Sequence, residues 1–208
     1  MHEENILFAG AGIKKNGKVL IMLHGRGSSA EDILSLATYL DVNEFALAAP
    51  QATGGSWYPR SFLAPPEQNE PALSDALTML HALVADFETK GIRKQDMYFL
   101  GFSQGACLAL EFITRNATRY GGVIAFTGGL IGDKIYRDHY KGDFAQTPVF
   151  IGTSDPDFHV PVERVYATAN ILNEMGAAVT EKVYANMGHT INQDEITMAN
   201  TLILNAGQ

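Results

Sequence analysis

Between Tyr98 and Leu110 the chain runs through Gly101-Phe102-Ser103-Gln104-Gly105, with an uninterrupted apolar stretch before it and another after it. Met97–Phe102 fits a strand buried on both faces, and Gln104–Arg115 carries its apolar residues at helical spacing. A strand that becomes a helix across one residue forces that residue into a strained backbone. Glycines on both sides are then needed, because side chains there would strike the neighbouring strand and helix. The turn lifts the Ser103 hydroxyl above the sheet at a helix N-terminus, where backbone N–H groups and the helix dipole favour developing negative charge. A plainer reading makes Ser103 an N-cap between two packing glycines. Partners elsewhere in the chain separate the two.

Around this junction, apolar runs bounded by Gly and Pro alternate with helical periodicity, the pattern of a parallel sheet wrapped by helices. Strands are expected at Lys18–His24, Phe45–Pro50, Met97–Phe102, Gly122–Thr127 and Pro148–Gly152. Ala178–Tyr184 alternates apolar and polar residues and fits a sheet edge with one wet face. Ile6–Ile13 is ambiguous and could add an antiparallel strand. Helices are expected near Ala30–Leu40, Ala72–Thr89, Gln104–Arg115, Val162–Met175 and Asp194–Leu204. Two irregular segments, Ala52–Pro71 and Gly128–Thr147, each follow a strand. Ligand crevices in open α/β sheets lie beyond the carboxyl ends of the strands, so both segments are expected to shape a binding site.

The 208 residues, 46% of them hydrophobic, suffice for one domain spanning 1–208. A net charge of -8 with scattered basic residues argues against a nucleic-acid partner. No apolar run approaches the ~20 residues that span a bilayer. The N-terminal MHEENILFAG has the wrong polarity for a secretory signal. With a lone cysteine, Cys107, a disulfide framework and a cysteine-based zinc cluster are excluded. A cytoplasmic protein is expected.

A serine hydroxyl is a weak nucleophile near neutral pH and needs a base, for which histidine is suited. With the order Ser, acid, His, the candidates are His139, His159 and His189. His189 sits in Asn186-Met187-Gly188-His189-Thr190, a polar loop directly after the last expected strand, and is chosen. His139 reads as a surface residue; His2 and His81 precede the serine. The acid comes from the loop after Pro148–Gly152, which contains Asp155 and Asp157. An orienting acid must be held rigidly, and Asp157 stands just ahead of Val160-Pro161, which favours it. Position alone does not exclude Asp155. Asp155, Asp157 and His159 could also be read as metal ligands, but no fourth ligand lies nearby, and no metal is expected.

Leu23-His24-Gly25-Arg26-Gly27-Ser28-Ser29-Ala30 follows the first buried strand and opens a helix. Its glycines can free a backbone N–H, that of Arg26, to join the N–H of Gln104 around an oxyanion. The same residues match G-x-G-x-x-G/A, a dinucleotide fingerprint. That rival requires an acidic residue at the end of the second strand, and Phe45–Pro50 leads instead into Gln51.

With these residues assembled, the chain resembles the phospholipase/carboxylesterase family of small α/β-hydrolases, over nearly its whole length. The likeness rests on LHGRGSS, SWYPRSF at Ser56–Phe62, GFSQGA at Gly101–Ala106, DPDFHVP at Asp155–Pro161 and GHTI at Gly188–Ile191. It implies an α/β-hydrolase fold: a mostly parallel sheet, helices on both faces, and no large cap domain. It also implies Ser103 as nucleophile, Asp157 as acid, His189 as base, the N–H groups of Arg26 and Gln104 as oxyanion hole, and no cofactor. The substrate would be a small-molecule ester or thioester, and the protein a monomer or homodimer. Gly54–Arg60 and Gly128–Thr147 depart from the acyl-channel segments of the family's thioesterases, so long-chain preference is not carried over. Trp57, Tyr58 and Phe62 are candidate walls for the substrate. Cys107 reads as a small buried hydrophobe. The alternative in another class is a catalytically inert binding protein on the same fold.

Overall fold

The computed structural model describes residues 5–205. Seven strands form one sheet: β1 Ile6–Gly10, β2 Lys18–Leu23, β3 Phe45–Pro50, β4 Met97–Phe102, β5 Gly122–Phe126, β6 Pro148–Asp155 and β7 Ala178–Ala185. Their order is β1-β3-β2-β4-β5-β6-β7. All neighbours are parallel except β1, which runs antiparallel along β3 with Ile6 opposite Pro50. The ambiguous N-terminal segment is therefore the antiparallel edge strand, ending at Gly10 and not at Ile13. His2 lies outside the described residues.

Helices α2 (Ala72–Thr89), α3 (Gln104–Arg115) and α4 (Val162–Glu174) cover one face, where Leu80, Phe112 and Leu172 pack on Ile21, Phe99 and Ile151. Helices α1 (Ala30–Ser35) and α5 (Gln193–Ala199) cover the other, where Ile33 and Ile196 pack with Leu20, Leu100 and Phe150. Alternate residues of the central strands enter each core, and this is why those strands read as continuous apolar runs. At the edge, β7 is largely exposed or half-buried, as its alternation requires. This is the α/β-hydrolase fold, and among the described residues no helical cap lies over it. Among the described residues no helix is long and apolar enough to cross a membrane.

Several ends shift by a single residue, and three further element boundaries differ from expectation by more. Strand β6 continues to Asp155 because Thr153 and Ser154, polar in sequence, are buried and pair with Val183 and Tyr184 of β7. The helix expected over Ala30–Leu40 is α-helical only to Ser35 and tightens to a 3₁₀ turn at Leu36–Thr38. Helix α5 widens to a π-helical turn at Asn200–Leu204, keeping Ile203 and Leu204 in the core.

Helix α5 begins with a capping box that fixes where the preceding loop ends. Asn192 accepts from the Glu195 N–H at 2.8 Å, and Glu195 Oε2 accepts from the Asn192 N–H at 2.9 Å. Glu195 is fully buried, with Oε1 against Gly152 and unpartnered among the described residues. Burial pushes its carboxyl from the ordinary 4.5 up to about 7; the Asn192 N–H opposes the shift and neighbouring Asp194 adds to it.

An acid whose pKa is raised on folding holds a proton that the unfolded chain has released. Stability should therefore fall as pH rises from about 4.5 through about 7, by on the order of 2 kcal/mol, and remain lower above that window. Glu195→Gln removes the titration. The drop in melting temperature between about pH 5 and pH 8 should be smaller in the variant by roughly 4–8 °C. Equal drops in the two proteins would refute this role for Glu195.

Candidate active site

The junction between β4 and α3 places Ser103 at φ 55°, ψ -118°, a conformation that L-residues seldom adopt. Its N–H donates to Phe126 O at 2.9 Å, tying the turn to β5. A Cβ on Gly101 would overlap Gly105 O and Ala106 N, and one on Gly105 would overlap the carbonyls of Leu23 and His24. These are backbone atoms that cannot move aside, so both glycines are required by the close approach of α3 to β4 and β2. The Ser103 side chain makes no cap bond to α3, and the plainer N-cap reading falls away.

The hydroxyl turns instead to the loop between β7 and α5. His189 Nε2 lies 2.8 Å from Ser103 Oγ, and His189 Nδ1 lies 2.7 Å from Asp157 Oδ2. The other Asp157 oxygen accepts from the N–H groups of His159 at 2.7 Å and Val160 at 2.9 Å. Burial by itself would raise this carboxyl. The bonds from His189 and from Val160 and His159 outweigh it, so Asp157 is held below the usual carboxylate range and stays ionised. Of the two candidate acids the structure brings Asp157, not Asp155, to the imidazole; Asp155 is exposed at the end of β6. Ser154 Oγ accepts from the Gly188 N–H at 2.9 Å and pins the histidine loop to β6. The rings of Phe102 and His159 flank His189 at 5.3 and 4.8 Å between centroids. His139 lies apart, exposed and stacked on Tyr136.

Both expected oxyanion donors border the elbow. Gln104 is the first residue of α3, where an N–H has no acceptor within the helix. On the other side, the N–H groups of Gly27 and Ser28 are taken by Gly55 O at 2.7 Å and Gly25 O at 3.2 Å. The Arg26 N–H has no assigned acceptor among the described residues. Gly25 packs against Phe102 and Ser103, which holds this loop beside the Ser103 turn. The dinucleotide reading of the same loop fails on chemistry. Asp32 caps α1 from within, bonding Ser28 Oγ and the Ser29 N–H, and Gln51 Oε1 takes the Ala30 N–H. The groups that would bind a pyrophosphate are already occupied.

A cavity of about 380 Å³ opens above Ser103 and His189. Tyr58, Phe62, Cys107 and Val160, all buried, form its inner end; Arg26, Arg60 and His159 stand at the exposed rim. The Tyr58 hydroxyl is beside the Cys107 thiol, with no well-placed hydrogen-bond partner among the described residues. Burial pushes the phenol well above its ordinary range and the thiol up to about 12, so both keep their protons. Cys107 is thus the small buried hydrophobe expected of it.

Two expectations about the walls need correction. Trp57 does not line the cavity: it is fully buried, donates from Nε1 to His24 O at 2.8 Å, and lies against the His24 ring. It anchors the loop from below, because its indole N–H finds its acceptor in the core. The segment Gly128–Thr147 also contributes no cavity residue. Buried Glu111, paired with Arg115 at 2.7 Å, accepts from the Ile131 N–H and Tyr140 hydroxyl and draws that segment down onto α3.

Three side-chain roles were not readable from the motifs. Gln104 Oε1 accepts from the Trp57 N–H at 3.0 Å and its Nε2 donates to Tyr58 O at 2.8 Å, clamping the loop to the elbow. The Arg26 guanidinium braces the same loop through Ser56 Oγ, Pro59 O and Arg60 O. His24 Nε2 accepts from the Ala52 N–H at 3.1 Å while Nδ1 faces Gly25 O at 2.7 Å, the pattern of a neutral ring protonated on Nδ1. The only sequence signal for these roles is polar residues beside glycine at a strand end.

A family model described as Phospholipase/Carboxylesterase matches residues 5–205. The chain belongs to the phospholipase/carboxylesterase family. Among its relatives, acyl-protein thioesterase 1 of Saccharomyces cerevisiae is 27% identical, over 92% of this chain and 94% of that one. A probable carboxylesterase of Oryza sativa is 24% identical over 94% and 80%. A SOBER1-like probable carboxylesterase of Arabidopsis thaliana is 26% identical over 62% of this chain, and the match spans about half of that relative (49%). The crystal structure of a phospholipase/carboxylesterase from Dyadobacter fermentans is 53% identical and superposes with a TM-score of 0.96 over 98% of both chains. The Bacillus cereus carboxylesterase, 20% identical, shares the fold at a TM-score of 0.80. By family the chain is an ester hydrolase.

The elbow gives a stability test. Gly105→Ala forces a methyl group into two backbone carbonyls and should cost about 3 kcal/mol or abolish soluble expression. A urea denaturation midpoint unchanged from wild type would contradict the packing described.

Proposed function

We propose that the chain is a single-domain serine esterase that cleaves carboxylic esters or thioesters through an acyl-enzyme, with Ser103 as nucleophile, His189 as base and Asp157 as orienting acid. The observation that carries the reading is the unbroken contact from Ser103 Oγ through His189 to Asp157, at 2.8 and 2.7 Å. Asp157 fixes the proton on His189 Nδ1, which leaves Nε2 free to accept from the serine.

Attack of Ser103 Oγ on the ester carbonyl transfers its proton to His189 Nε2, and the imidazolium is stabilised by the ionised Asp157. The carbonyl oxygen becomes an oxyanion beside the backbone N–H groups of Arg26 and Gln104, which need no reorganisation to receive it. Collapse of the tetrahedral intermediate breaks the bond to the alcohol or thiol, which leaves with the proton from His189. Water, deprotonated by the same nitrogen, then hydrolyses the acyl-enzyme and restores Ser103. The buried, uncharged inner end of the cavity suits a short acyl group. The single buried thiol suits the reducing cytoplasm.

Ser103→Ala should lower turnover of a short p-nitrophenyl ester at least about a thousandfold, since nucleophile and base act as a unit. A fluorophosphonate probe should label the wild type and not the variant. Absence of labelling in folded wild-type protein would instead favour an inert binding protein.

A further inference from the structure

The cavity's charge runs against the composition of the chain. Acidic residues outnumber basic ones by 23 to 15, yet two arginines and two histidines line the cavity, and among the described residues no carboxylate does. Asp157 is behind His189 with both oxygens engaged. Glu111, deeper still, is spent on Arg115, Ile131 and Tyr140 and does not reach the cavity.

Neither rim arginine is neutralised. Arg93, Arg115 and Arg137 each face a carboxylate. Among the described residues Arg26 bonds a hydroxyl and two carbonyls and lies 6.0 Å from the Tyr58 ring centroid, with no carboxylate paired to it. Arg60 is exposed, and its guanidinium has no hydrogen-bond or ion-pair partner among the described residues. Its backbone is nevertheless fixed: the Arg60 N–H donates to buried Asn69 at 2.8 Å and the Arg60 carbonyl accepts from Arg26 at 2.5 Å. A guanidinium on an anchored backbone, at the mouth of a partly enclosed cavity, concentrates anions there and offers them a bidentate fork.

The two ends of the cavity therefore ask for different chemistry. Its inner end is uncharged and takes a short neutral group, and the cationic rim takes an anion. Resting on the serine-esterase reading above, we propose that the substrate class is an ester or thioester with a short uncharged acyl chain and an anionic group on its alcohol or thiol portion, held by Arg60 with Arg26 beside it. A carboxylate or phosphate on the leaving group would satisfy the site equally, since both accept two parallel N–H bonds.

The test compares the butanoate ester of 4-hydroxybenzoate with that of methyl 4-hydroxybenzoate, which differ by one charge on the leaving group. The ratio of their kcat/KM values is measured in wild type, Arg60→Ala and Arg60→Glu, so that differences in intrinsic reactivity cancel. Arg60→Ala should lower the anionic-to-neutral ratio about tenfold, chiefly through KM of the anionic ester, and Arg60→Glu should lower it further. Added salt should erode the wild-type ratio and leave that of Arg60→Ala nearly flat. A ratio unchanged by both substitutions, with Ser103 still labelled by fluorophosphonate and the neutral ester still turned over, overturns this substrate class alone. Failure of labelling and of turnover on both esters overturns the esterase reading with it.

Discussion

Everything in the site depends on the approach of α3 to β4 and β2 at Ser103. The helix comes so near that Gly101 and Gly105 leave no room for a side chain, and the intervening serine occupies a backbone conformation that an isolated peptide would not hold. That strain is sustained by the two apolar cores on either face of the sheet and by the bond from Ser103 to Phe126. In return, the hydroxyl stands clear of the sheet beside a helix start, where an imidazole from a distant loop can meet it.

The surrounding polar groups form a frame that holds loops, so the same residues serve packing and site geometry together. Gln104 is fixed by its position in the elbow, and its amide clamps Trp57 and Tyr58. Arg26, beside Gly25, sends its guanidinium along the same loop. Trp57 closes the arrangement from below by bonding the carbonyl of His24. The cavity wall, Ser103 and the residues Arg26 and Gln104 are thus mutually positioned by a few short bonds among three strand ends. On the far side, Ser154 and the capping box of Asn192 and Glu195 delimit the loop that presents His189. An imidazole on a loop needs such fixed ends to return to the same place.

What the sequence determined by itself was whatever depends on local chemistry or on period. Buried strands are continuous apolar runs, helices repeat their apolar face, and a glycine-serine-glycine junction between them has few structural uses. The sheet, most of its elements and the meeting of Ser103, His189 and Asp157 were therefore legible. Asp157 could be favoured over Asp155 because the residues after it fix a turn. The boundaries that went astray did so where polar residues are buried by pairing, as at Thr153 and Ser154, or where a helix changes pitch to keep its apolar residues inward.

Only the tertiary structure decided where side chains from separate segments point. A loop tryptophan reads the same whether it walls a cavity or anchors a core, and Trp57 was resolved by an acceptor 33 positions away in sequence. The Gly128–Thr147 segment follows a strand end like any site loop, yet the buried Glu111 pulls it onto α3. The charge of the cavity was equally hidden, because in a chain of net charge -8 the few basic residues look scattered until folding brings Arg26 and Arg60 to one rim. Sequence specifies each residue's chemistry and periodicity, whereas burial, charge balance and hydrogen-bond partners are properties of which surfaces meet.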